Sequence, residues 1–108
     1  MTRDSQGQLG SVGDIKHVEE GRGGAFVIER DGERAAELTY YVRGSDAAIV
    51  VNHTWVDPSL RGRGIGELLV EAMVEWARTG GKVIVPVCSF VREVMGRTPA
   101  MQDVMQAR

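Results

Sequence analysis

Apolar positions recur along this chain with two different periods. From Ala25 the run Phe26-Val27-Ile28 leads into Arg30-Asp31-Gly32, a strong turn signal, and the chain resumes at Ala35 with Leu38, Tyr40 and Val42 on one alternating face. This pattern predicts a β-hairpin. Gly44-Ser45-Asp46 makes the next turn, and Ala48 to Val56 supplies a third strand rich in β-branched and aromatic residues, ended by Asp57-Pro58. From Gly64 to Thr79 the period becomes helical, with Ile65, Leu68, Leu69, Ala72, Met73, Trp76 and Ala77 on one stripe, and Gly80-Gly81 stops the helix.

Lys82 to Val87 is short, apolar and β-branched, so it reads as a buried fourth strand laid parallel to the third through a strand, helix, strand crossover. Ser89 to Met95 and Ala100 to Met105 read as two short helices separated near Gly96 and Pro99. The predicted order is β, β, β, α, β, α, α, an α/β domain of the α+β kind with a mainly antiparallel sheet. Met1 to Asp14 carries few large apolar residues, so it reads as a flexible arm before one domain spanning residues 15–108.

Bulk properties narrow the function classes. At 108 residues there is room for one core but not for a cleft between two domains. A formal net charge of -2 argues against a dedicated nucleic-acid surface, which depends on many Lys and Arg contacts to phosphate. The single cysteine, Cys88, excludes a disulfide framework within the chain and a cysteine-based zinc cluster, and no metal site is expected. Charged residues and glycines interrupt every apolar run, so no membrane span is predicted. With no signal-peptide pattern at the N-terminus, the cytoplasm is the expected compartment.

Arg61 to Gly66 reads R-G-R-G-I-G, between the third strand and the amphipathic helix. Three alternating glycines allow a tight turn and close approach to a bulky anion, and the free amides of the following helix point at the same spot. Spacing separates the known uses of such a turn. A P-loop would need G-x-x-x-x-G-K-[ST], and no such lysine or hydroxyl follows. A dinucleotide fingerprint needs G-x-G-x-x-G and an acidic residue about 20 positions on, whereas Val83 to Val87 has no acid. Arg-Gly repeats of RNA-binding tails need a low-complexity run that is absent here. A turn that uses glycines for backbone geometry alone is the remaining plain reading.

Arg61, Gly64 and Gly66 match the fixed positions of R/Q-x-x-G-x-G/A, the acetyl-CoA signature of the GCN5-related N-acetyltransferase (GNAT) superfamily. His53-Thr54-x-Val56-x-Pro58-x-Leu60-Arg61-Gly62-x-Gly64-Ile65, then Lys82-Val83-x-x-Pro86-x-Cys88-Ser89-Phe90-Val91, resembles the small single-domain members of that superfamily over roughly Ala25 to Met105. The resemblance implies a splayed pair of parallel strands. It also implies CoA pyrophosphate on the amides around Gly62, Gly64, Ile65 and Gly66, with positive charge from Arg61 and Arg63. The pantetheine arm would pair with backbone near Trp55 and Val56, and the thioester would end near Cys88.

Acetyl transfer to an amine needs a neutral nucleophile, polarisation of the thioester carbonyl and a proton for the departing thiolate. Cys88 precedes a short predicted helix whose N-terminal amides would favour a thiolate, which makes it a candidate acyl carrier; a buried space-filling thiol is the plainer alternative. His53 is the candidate general base, with a structural or surface histidine as its alternative. Glu29, Glu33 and Glu37 fit a solvated sheet face.

Two residues depart from the family's pattern. Phe90 stands where a tyrosine is common, and Thr98-Pro99 where His-Pro or Asn-Pro is usual. The expected activity is acetyl-CoA-dependent N-acetylation of a small amine or a protein tail, by a monomer or homodimer. The rivals are a non-catalytic acyl-CoA sensing module and an interaction domain without cofactor.

Overall fold

A computed structural model describes residues 14–106, so the arm expected over Met1 to Asp14 lies outside the described residues except for Asp14. The chain order is β1 (Ile15–Glu20), β2 (Gly23–Arg30), β3 (Glu33–Val42), β4 (Ile49–Val56), a 3-10 turn (Pro58–Leu60), α1 (Ile65–Thr79), β5 (Ile84–Pro86), α2 (Ser89–Gly96) and a second 3-10 stretch (Pro99–Val104). The strands form one sheet in sequential order, antiparallel from β1 to β4 and parallel between β4 and β5.

The predicted hairpin is β2–β3, and its turn residues Asp31 and Gly32 both take positive φ, 54° and 80°, as a tight two-residue connection requires. The crossover from β4 through α1 to a parallel β5 is also as the periodicity predicts.

Three expectations need correction. The sheet has an additional strand, β1, which pairs with β2 from Ile15↔Ile28 to Glu20↔Gly23. The predicted strand over Lys82 to Val87 contracts to Ile84–Pro86, because only Ile84 and Pro86 turn inward while Val83 and Val87 are exposed. The last predicted helix is a 3-10 stretch, opened by Pro99, whose ring fixes φ and removes a donor.

One face of the sheet carries the main core. Phe26, Ile28, Leu38, Tyr40, Ile49 and Val51 pack against Leu69, Val70, Met73 and Val74 of α1 and against Val91, Val94 and Met95 of α2. The buried side of α1 is wider than the predicted stripe, since Val70 and Val74 are also inside. Met73, Met95 and Met101 serve as packing, as their helical spacing suggests. The C-terminal stretch is clamped onto α1 by Arg78, which donates to both carboxylate oxygens of Asp103 (2.9 and 2.8 Å), to the Ala100 carbonyl and to Glu75. Among the described residues no helix is long and apolar enough to cross a membrane.

An aromatic group closes the core beside β1. His17 stacks on Phe26 with ring centroids 4.2 Å apart, meets the edge of Trp76 at 4.7 Å, and lies 2.6 Å by its Nε2 from the Tyr40 hydroxyl. Burial pushes the His17 pKa below its ordinary 6.5, with Glu19 opposing the shift in part. Burial, helped by Glu19, pushes Tyr40 up to about 12, so its hydroxyl keeps its proton and shares a hydrogen bond with the imidazole.

The sign of the linkage follows. The unfolded chain binds the His17 proton more readily than the folded one, so stability is full above pH 6.5 and falls as pH drops from there through the folded value. Melting temperatures measured between about pH 8 and about pH 5 should decline for the wild type. His17→Gln should flatten that decline; an unchanged slope would remove His17 as its source.

Candidate functional site

The site begins where the parallel pairing stops. Residues of β4 and β5 pair only from Ile49↔Ile84 to Val51↔Pro86. Pro86 has no amide to continue the ladder, and the next two amides, of Val87 and Cys88, both donate to the Val51 carbonyl at 3.0 and 2.9 Å. The chain then turns away into α2, while β4 runs on to Val56 without a β5 neighbour. At the same level the β3–β4 register steps from Tyr40↔Val51 to Thr39↔His53, leaving Asn52 as a bulge. The sheet thus splays open beyond Val51.

The glycine turn faces this opening. Asp57 caps the 3-10 turn by accepting from the Ser59 amide at 3.0 Å, and Leu60 anchors the turn in the core. Arg61 then folds back so that its Nε donates to the Val56 carbonyl at 2.8 Å, tying the turn to the end of β4.

The alternating glycines are needed for two different reasons. Gly62 and Gly64 hold φ of 82° and 75°, with open space where a Cβ would stand, and Gly64 is the N-cap of α1. Gly66 is already helical; a Cβ there would lie 2.8 Å from Cζ of Phe90. The first α1 amide to bond back is that of Leu68, onto Gly64, so earlier amides are left for other acceptors.

Between the free end of β4 and this turn lies a cavity of about 580 Å³, lined by Thr54, Trp55 and Val56, by the turn, and by Phe90 of α2. This volume lies within the ordinary range for small-molecule and cofactor sites. Every residue predicted to hold cofactor except Arg63 lines it. Glu67 is also at its edge, where a carboxylate would oppose an anion, but Arg97 pairs with it at 3.2 Å. Arg97, itself half exposed, serves that carboxylate and Glu93.

The two catalytic candidates fall on opposite faces of β4. Thr54 lies across from buried Leu38 and so faces the helices, where its Oγ1 is 3.5 Å from Cys88 Sγ. His53 lies across from Thr39 and points the other way, with Nε2 3.1 Å from Glu37 Oε2. Cys88 is the N-cap residue of α2. Burial pushes its thiol pKa up, yet hydrogen bonds from the Thr54 hydroxyl and the Val91 and Phe90 amides outweigh that, leaving it below the usual 9.0.

The sequence reading missed Thr54, although its place two residues before Val56 puts it on the same face. It also missed the Phe90–Gly66 contact and the Glu37–His53 pair, whose partners are distant in the chain and carry no local signal.

The comparisons with known proteins agree with this architecture. Residues 25–104 match the family model described as GCN5-related N-acetyl-transferase, and the chain belongs to that family. It is similar to the solution structure of a GCN5-like candidate N-acetyltransferase from Staphylococcus aureus, at 32% identity and TM-score 0.66, covering 88% of this chain and 89% of that one. It also shares a fold with a ribosomal-protein-alanine N-acetyltransferase from Brucella melitensis biovar Abortus 2308, at 21% identity and TM-score 0.51, over 61% of this chain and 48% of that one. No curated protein sequence matches.

Two outcomes follow from this geometry. Thr54→Val removes the leading contact that lowers the Cys88 thiol pKa, so alkylation by iodoacetamide near neutral pH should slow by roughly two- to tenfold, one pKa unit being a tenfold change in thiolate. Gly66→Ala should lower stability by about 1–3 kcal/mol through overpacking against Phe90. In urea unfolding, Gly66→Ala with Phe90→Ala should then lose well below the sum of the two single losses.

Proposed function

We propose that this protein is an acetyl-CoA-dependent N-acetyltransferase that binds its cofactor in the cavity between β4 and the glycine turn and acetylates an amine, on a small molecule or a protein tail. The observation that carries the reading is the continuity of that cavity from the unpaired end of β4 to the first amides of α1. The chemistry of the two ends differs as the cofactor's does.

At the turn, amides from Gly62 to Gly66 would hold the pyrophosphate, with the helix dipole adding about 0.3–1 kcal/mol per interaction in exposed settings. Arg61 and Arg63 bring positive charge, and open space at Gly62 and Gly64 lets an anion reach the backbone. Along β4, Trp55 and Val56 would pair with the pantetheine amides as an edge strand pairs with an added one. The thioester would end beside Thr54 and Cys88, where the thiol's lowered pKa suits it to carry or stabilise an acyl group. His53, on the other face, is the candidate base. The cofactor, when bound, supplies the activated acetyl group.

One feature favours a second reading, a binding or sensing module without turnover: Phe90 lines the cavity and has no hydroxyl with which to protonate a leaving thiolate. Thermal shift with acetyl-CoA, CoA and NAD tests binding. Either CoA species at 100 times its Kd should add ~2.7 kcal/mol, with no effect of NAD. A chain unmoved by both CoA species would end both readings. Cys88→Ala should bind acetyl-CoA as before, and release of CoA in the presence of amines and lysine peptides separates the enzyme from the sensor.

A further inference from the structure

The face of the sheet turned away from the helices carries a linked set of side chains that the cofactor site does not use. Glu37, one strand over from His53, is shared between two partners: its Oε1 accepts from Arg34 Nη1 at 3.0 Å, and its Oε2 accepts from His53 Nε2 at 3.1 Å. The imidazole that donates through Nε2 leaves Nδ1 bare as a proton acceptor. Both histidine and carboxylate stay in contact with solvent, the His53 side chain at 49% and that of Glu37 at 22% exposure. Half-exposed pairs of this kind contribute little to stability, so folding alone gives weak reason for the arrangement.

Its position gives a stronger one. His53 follows the Asn52 bulge, at the level where β4 loses β5 as a neighbour. Thr54, with Cys88 3.5 Å from its hydroxyl, stands on the helix side of this part of β4, and His53, the residue before it, stands on the other face.

Resting on the acetyl-transfer reading above, we propose that Glu37 is a positioning residue. With Arg34 behind it, Glu37 fixes the His53 ring at the bulge, and His53 takes the proton from an amine that arrives over the outer face of the sheet. The amine nitrogen forms the C–N bond to the acyl carbon as the C–S bond breaks, and the electron pair leaves on the CoA sulfur. The proton removed from nitrogen passes to His53 Nδ1. It then returns through solvent to the thiolate, leaving the imidazole neutral and the charges balanced.

The test joins a spectroscopic and a kinetic readout. Ring ¹⁵N spectra of wild-type His53 should show the Nε2–H tautomer, and Glu37→Ala should redistribute it towards a mixture. With acetyl-CoA and spermidine or an oligolysine peptide, Glu37→Ala should lower kcat on the order of 10–100-fold. KM for acetyl-CoA and the CoA thermal shift should stay at wild-type values, and Glu37→Gln, which keeps an acceptor for Nε2–H, should recover part of the rate. A Glu37→Ala chain with wild-type kcat, an unmoved ring spectrum, or a CoA shift lost along with kcat would each overturn the positioning role. Wild-type protein that binds CoA but releases none with either amine also overturns it. Absence of the CoA shift in the wild type is the separate result that removes the acetyl-transfer reading itself.

Discussion

The carbonyl of Val51 accepts two amides, those of Val87 and Cys88, and the rest of the site depends on that double acceptance. A regular parallel ladder would give each further β4 carbonyl a partner from β5 in turn. Pro86 cannot donate, and Val51 absorbs the next two donors, so β5 is finished while β4 still has residues 52–56 to run. The buried backbone groups at the junction are satisfied while the strands part. The opening is therefore set by the hydrogen-bond pattern of the chain itself.

The same junction places the thiol. Because the chain leaves Val51 directly into α2, Cys88 becomes its N-cap, and the α2 amides and Thr54 converge on its sulfur. On the far side of the opening the glycine turn is held by contacts of equal economy, with Leu60 buried in the core and Arg61 tied to Val56. Two helix N-termini thus meet near the opening, that of α1 lining the cavity and that of α2 turning its amides towards the Cys88 sulfur.

Much of this was legible because it is local. The hairpin turn at Asp31-Gly32, the helix from Gly64 and the glycine spacing are each written within a few residues, and the long motif from His53 to Val91 pointed to the family. What escaped is set by partners far along the chain. Ile15–Glu20 alternates weakly, and it becomes a strand because Phe26 stacks under His17 and β2 needs a neighbour. Val83 and Val87 look as apolar as Ile84, but their side chains alternate outward from a three-residue strand. Glu37 looked like one of several surface glutamates, since its meaning lies in His53, 16 residues away. The third glycine lines the cavity with the other two, and it also makes room for the Phe90 ring, a contact 24 residues apart that no local pattern signals.

One quieter feature concerns how β5, so short and so central to the opening, avoids recruiting a foreign strand. Its outer edge is taken up by the chain itself: Met105 bridges Ile84 in parallel, and the Gln106 amide donates to the Ile84 carbonyl at 2.8 Å while its side chain accepts from Arg43. Exposed edges invite pairing between molecules, and a self-supplied stub of strand blunts that tendency at the cost of a few residues. The C-terminal stretch, which Arg78 clamps to α1, is thus also a guard against edge-to-edge aggregation.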